Sequence, residues 1–130
     1  MAGIFKFPKQ FDNLDEYVAN RIARLPQVCQ DALNEGAEVV LEDAKSLVPV
    51  KTGALRDSGR IEPGLGDLPS VTIAFGGDGV DYALRVHEDL EMRHPNGGIP
   101  KYLEEAYLRN EDYLLRLIGE RIMELFNAKD

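Results

Sequence analysis

The apolar residues of this chain keep one period, change it, and change it back, and few folds accommodate that order. Leu14, Val18, Ile22 and Leu25 recur at spacings of four, four and three, which places them on one helical face. Asp12 or Asn13 can cap the start, and Pro26 either interrupts this helix or begins the next. Helical spacing continues through Val28, Leu33, Ala37, Val40, Leu41, Ala44, Leu47 and Val48, and Pro49 supplies the stop. Together these stretches predict one long N-terminal helix, straight or kinked.

The period then becomes two. Val71, Ile73 and Phe75 alternate with Ser70, Thr72 and Ala74, and Tyr82, Leu84 and Val86 alternate with Asp81, Ala83 and Arg85. Both stretches read as half-buried strands, joined as a hairpin by Gly76-Gly77-Asp78-Gly79, which permits positive backbone angles. A third strand is expected around Leu55 to Ile61, weakened by Gly59 inside it and followed by Pro63-Gly64-Leu65-Gly66. Glu88 to Gly98 has no period and carries Pro95-Asn96-Gly97-Gly98, the pattern of an exposed loop. Helical spacing returns after Pro100 with Tyr102, Leu103, Ala106 and Tyr107, and after Asn110 a last helix stacks Leu114, Leu117, Ile118, Ile122, Leu125 and Phe126. Helix, strands, helix is the order of an α+β domain. It would have a long N-terminal helix, a small antiparallel sheet of three or four strands, and C-terminal helices packed on one face. Residues 1–12 then form an N-terminal arm and residues 13–130 a single domain, a size suited to one core.

Charge narrows the partners. Fifteen basic against 23 acidic residues leave a formal charge of -8, which repels phosphate backbones and anionic headgroups alike. No apolar run approaches a membrane span, and the stretch from Met1 to Phe11 lacks the uninterrupted apolar core of a signal peptide. A soluble protein made in a cytoplasm is expected, with no membrane contact and no specific nucleic-acid binding.

Candidates for chemistry are few. His87-Glu88 and His94 do not match the helical His-Glu-x-x-His spacing that sets two imidazoles on one zinc. Cys29, the single cysteine, sits in a helical pattern between Val28 and Ala32, where no local positive cluster lowers its pKa. It reads as a reduced thiol on or near a buried helix face. The glycines from Gly76 to Gly79 lack the Lys-Ser/Thr pair of a phosphate cradle and precede a strand. Glutamates between Glu35 and Asp43 read as a solvated helix face. The reading is therefore of a protein that is not an enzyme, with no cofactor and no metal.

Three segments stand out in combination. In Ala44-Lys45-Ser46-Leu47-Val48-Pro49-Val50-Lys51-Thr52-Gly53-Ala54-Leu55-Arg56, Pro49 ends a helix, Thr52 can bond local backbone and Gly53 can turn left-handed. Leu55 then re-enters the core while Arg56 stays out or pairs with an acid. Asp81-Tyr82-Ala83-Leu84-Arg85-Val86-His87-Glu88 is a strand running into an acidic residue, and Gly98-Ile99-Pro100-Lys101-Tyr102-Leu103-Glu104-Glu105-Ala106 opens a helix. In this order the segments resemble the bacteriophage HK97 gp10-like family, from about Val40 to Tyr107. Its marks fall on Pro49, Thr52, Gly53, Leu55, Arg56, Tyr82, Glu88 and Lys101. One departure is plain: many members carry Glu-x-Gly-Thr where this chain has Glu88-Asp89-Leu90-Glu91.

The resemblance implies a virion component of the head-to-tail joining region, a neck or tail-completion protein. It would assemble as a homo-oligomeric ring against adjacent connector, head-closure or tail proteins, with DNA passing nearby, after a stay in the host cytoplasm. Candidate contacts with subunits or partners are Phe5, Phe7 and Phe11 in the arm and Glu88, Glu91, Arg93 and His94 in the acidic loop. The alternative is a small acidic cytoplasmic adaptor or regulatory protein binding one protein partner through its helical face.

Overall fold

The computed structural model describes residues 3–6, 9, 12–49, 51, 53–64, 66–77, 81–93 and 98–128. Its first element, α1, runs over Leu14–Leu47, 34 residues with Pro26 inside. A proline deletes one backbone donor, yet the helix continues through it, supported along its length by packing against the last helix. Asn13 stands at the N-cap without a side-chain capping bond. Val48, held extended by the proline after it, ends the helix and donates its N–H to the Ala44 carbonyl.

After Pro49 the chain makes a short helix, α2 (Gly53–Asp57), before the first strand, β1 (Arg60–Pro63). The strand expected from Leu55 therefore begins only at Arg60, and Leu55 lies in a helical turn. Ser58 is the local reason. Its hydroxyl donates to the Leu55 carbonyl at 2.5 Å, a bond that closes a turn, and accepts from the Gly76 N–H at 2.8 Å.

Strands β2 (Ser70–Phe75), β3 (Tyr82–His87) and β4 (Met92–Arg93) complete an antiparallel sheet in the order β1-β2-β3-β4. Gly76, at φ +119, opens the β2–β3 connection in a conformation that side-chain-bearing residues rarely adopt. The loop expected over Glu88 to Gly98 is in part a hairpin. His87 N–H reaches the Glu91 carbonyl and Met92 pairs with Val86. One continuous helix, α3 (Lys101–Asn127), follows, where two C-terminal helices were expected. Asn110, read as a boundary, is internal, and its amide bonds the Ala106 carbonyl and the Asp43 carboxylate of α1.

The register divides the sheet into two faces. Ile61, Ile73 and Leu84 align across three strands, as do Val71, Val86 and Met92. These residues pack against Leu33, Ala37, Val40 and Ala44 of α1 and Leu103, Ala106 and Tyr107 of α3. Phe75 meets Tyr102 edge to face, with ring centroids 5.3 Å apart. Helices α1 and α3 run antiparallel and approach closely at Gly36, where an added Cβ would lie 2.1 Å from a Leu114 methyl. Strand β2 is buried on both faces, not on one as its alternation suggested.

Candidate functional site

Length decides what the sheet can cover. At about 1.5 Å per residue α1 spans roughly 50 Å, whereas a six-residue strand spans about 20 Å. Contact between α1 and β2 reaches as far toward the N-terminus as Gln30, whose amide clamps Ser70 by accepting its N–H at 3.2 Å and donating to its carbonyl at 2.9 Å. Before Gln30, helix α1 packs on the C-terminal half of α3. Leu14, Val18 and Ile22 do share one face, as their spacing predicts, but at 50%, 37% and 57% exposure it lies open to solvent. The face that rests on the sheet further along overhangs it here. Ile4 and Phe5, just upstream, are 88% and 79% exposed.

The overhang is held together by a residue that spacing did not single out. Arg21 is fully buried on α1 and stacks its guanidinium 3.8 Å from the Tyr17 ring centroid. It donates from Nη2 to the Ala128 carbonyl at 2.6 Å and from Nε to the Leu125 carbonyl at 3.4 Å, while the Tyr17 hydroxyl bonds the Phe126 carbonyl. These carbonyls end α3, where a cation also complements the helix dipole. An arginine within an apolar helical stripe reads from sequence as a surface residue, so nothing along the chain marks Arg21 as a cap.

The motif residues fall into two groups. At the end of the sheet that holds Phe75 lie Pro49, Gly53, Leu55 and Arg56 in the corner after α1, Tyr82 opening β3, and Lys101 opening α3. Leu55 packs against the core, and Gly53, Arg56 and Lys101 are exposed. Gly53 starts α2 with no positive φ and open space around its Cβ, so the left-handed turn expected there does not exist. At the other end of β3, Glu88, Glu91 and Arg93 form an exposed hairpin rim, with Arg93 paired to Glu91 at 3.2 Å. Phe7, Phe11, Thr52 and His94 lie outside the described residues.

That rim is anchored, not loose. Leu90 sits at φ 60 and packs on the core, its N–H bonds the His87 carbonyl at 2.8 Å, and the Tyr107 hydroxyl donates to its carbonyl at 2.5 Å. Burial, with smaller effects from Glu111 and Asp89, pushes the Tyr107 hydroxyl up to about 12. Burial, then the Glu88 carboxylate, raises the Cys29 thiol. At neutral pH that thiol is protonated and a poor nucleophile.

The sheet face turned away from the helices has its own chemistry. Arg60 and Ala74 align with Ala83, and Glu62 and Thr72 with Arg85 and Arg93. Arg60 reaches the Gly76 carbonyl at 2.8 Å and Glu62 at 2.9 Å, and Arg85 reaches the Ser70 hydroxyl at 3.3 Å. Small side chains along β2 thus lie beneath arginine arms.

A family model described as "Bacteriophage HK97-gp10, putative tail-component" matches residues 6–92. The corner after α1 and strand β3 with Glu88 after it lie within the match, and the segment opening α3 lies beyond it. No curated protein and no solved structure matches the chain.

Proposed function

The chain belongs to the HK97-gp10-like family of bacteriophage proteins, and on that premise we propose that it is a structural subunit of a tailed virion, forming a ring in the head-to-tail joining region as a neck or tail-completion protein. The observation that carries the reading is the overhang. Leu14, Val18 and Ile22 continue the core-facing side of α1 beyond the sheet and are exposed, as Ile4 is further upstream in the sequence. Apolar surface in this arrangement gains when a neighbour covers it.

Its partners are further copies of itself and the connector, head-closure or tail proteins on either side. Its role is structural, not catalytic, a reading supported by the description of its family as a "putative tail-component". With a formal charge of -8 it repels the DNA that passes it and does not retain it. The subunit is made in the host cytoplasm and ends in the virion. Quantitative mass spectrometry of purified particles tests this: the chain should be present in a fixed, small number of copies, and its absence from particles overturns the reading. Light scattering after size exclusion, with and without the adjoining ring proteins, should show a closed oligomer. A chain that stays monomeric or dimeric with every such protein is the adaptor instead.

A further inference from the structure

We infer that the outer face of the sheet is the docking surface for the acidic back of α1 in a second copy of this chain, so that copies stack front to back. The inference rests on the ring reading above and says which surfaces meet.

Two faces on opposite sides of the molecule carry opposite charge. On the front, Arg60 from β1, Arg85 from β3 and Arg93 from β4 share the helix-free face of the sheet, against Glu62 and the rim carboxylate of Glu91. This is a basic patch on a chain whose formal charge is -8. On the back, Asp31, Glu35, Glu38 and Glu42 follow one another on α1 at spacings of four, three and four, and all are exposed. That spacing aligns them in one stripe, away from the buried Leu33, Ala37, Val40 and Ala44 that rest on the sheet. Arg121 of α3 pairs with Glu35 at one margin of the stripe, whereas Glu38 and Glu42 face solvent.

The dimensions agree. The eleven residue steps of helix from Asp31 to Glu42 rise about 16 Å, and three strand spacings from β1 to β4 cover about 14 Å. A helix laid across the strands brings its carboxylates over the three arginines in turn. Arg93, the most exposed of the three, and the outer nitrogens of Arg85 meet the stripe, and a carboxylate is the acceptor a guanidinium binds best. Because the two faces lie on opposite sides, each copy offers a free front and a free back. Such a contact is heterologous, and heterologous contacts close into rings when the rotation permits.

The test uses two full-length variants. A back-blocked chain carries Glu38→Arg and Glu42→Arg, and a front-blocked chain carries Arg85→Glu and Arg93→Glu, each checked for native circular dichroism. Sedimentation velocity at low salt should find the unaltered chain self-associating, at least tenfold more weakly in 0.5 M than in 0.05 M NaCl. Each variant alone should be monomeric. Mixed, they should associate into 1:1 dimers or larger alternating assemblies, because the native front of one meets the native back of the other and the two reversed faces also carry opposite charge. If Arg85→Glu unfolds the chain, Arg93→Glu alone serves as the front block and should weaken association at least threefold. Association of the unaltered chain that survives both blocks leaves the ring reading standing and overturns this interface. So does the absence of mixed association. An unaltered chain that stays monomeric at every concentration and salt, and also on the adjoining ring proteins, overturns both.

Discussion

Leu90 shows how one residue carries strain for a neighbour's benefit. It holds φ 60, a region costing a side-chain-bearing residue about 1 kcal/mol, at the third place of Glu88-Asp89-Leu90-Glu91, where many family members carry glycine. The chain keeps the backbone turn and adds a side chain that packs on the core. Leu90→Gly and Leu90→Ala both lose that packing, but glycine also relieves the strain, so the glycine variant should be the more stable by about 1 kcal/mol in urea unfolding. Equal stabilities would mean that the turn is not left-handed. Tyr107 supports the same turn, and Tyr107→Phe should cost about 1 kcal/mol through loss of its bond to the Leu90 carbonyl. The pH dependence has a definite sign. In the unfolded chain the hydroxyl ionises near 10, and in the fold at about 12. The unfolded state therefore loses its proton first, and stability present below pH 10 declines as pH rises from 10 to 12. A pH series of melting temperatures should show a shallower decline for Tyr107→Phe. Arg21 is the costliest single site: Arg21→Met strips the end of α3 of its donors and should destabilise by about 2–4 kcal/mol. A change below 0.5 kcal/mol would show that solvent caps those carbonyls equally well.

Among the elements, the pairing of α1 with α3 is the most demanding. Gly36 lets the helices approach until Leu114 occupies the place of a side chain. Gly36→Leu should separate them and lower the melting temperature by several degrees, corresponding to about 1–3 kcal/mol, whereas Gly53→Ala, in open space without a positive φ, should leave it unchanged or slightly raised. A destabilised Gly53→Ala would reinstate the left-handed corner that its sequence suggested. The overhang has the opposite signature. Val18→Ser and Ile22→Ser remove exposed apolar groups and should leave thermal unfolding within a degree while reducing incorporation into particles. Loss of folding instead would show that this face is core.

For the whole molecule, the overhang is apolar surface that the sheet, too short for its helix, does not cover. Deleting residues 1–10 removes Ile4 and Phe5, both exposed, so helical content should be retained in circular dichroism. Assembly should fail. A truncated chain that unfolds assigns the arm to the core, and one that still assembles makes the arm dispensable.

The elements were legible from spacing because backbone periodicity is local: three-and-four spacing wrote α1 and α3, and alternation wrote β2 and β3. Sequence motifs also marked the segment from Pro49 to Arg56 and the family to which it belongs. Short elements were misread, since five residues such as Gly53–Asp57 span less than two helical turns and Ser58 settles their form through a bond to Gly76 across the sheet. What lay beyond any reading of the chain was coverage. The same apolar spacing is core at Leu33 and Val40 and solvent-exposed at Val18 and Ile22. Periodicity assigns a residue to a face, but only the sheet's extent decides whether anything lies against it. Arg21 and the arginines of the outer sheet face were hidden for the same reason: a cation is solvated, capping or docking according to what the fold brings beside it, and those neighbours come from more than a hundred residues away for Arg21 and from three separate strands for Arg60, Arg85 and Arg93.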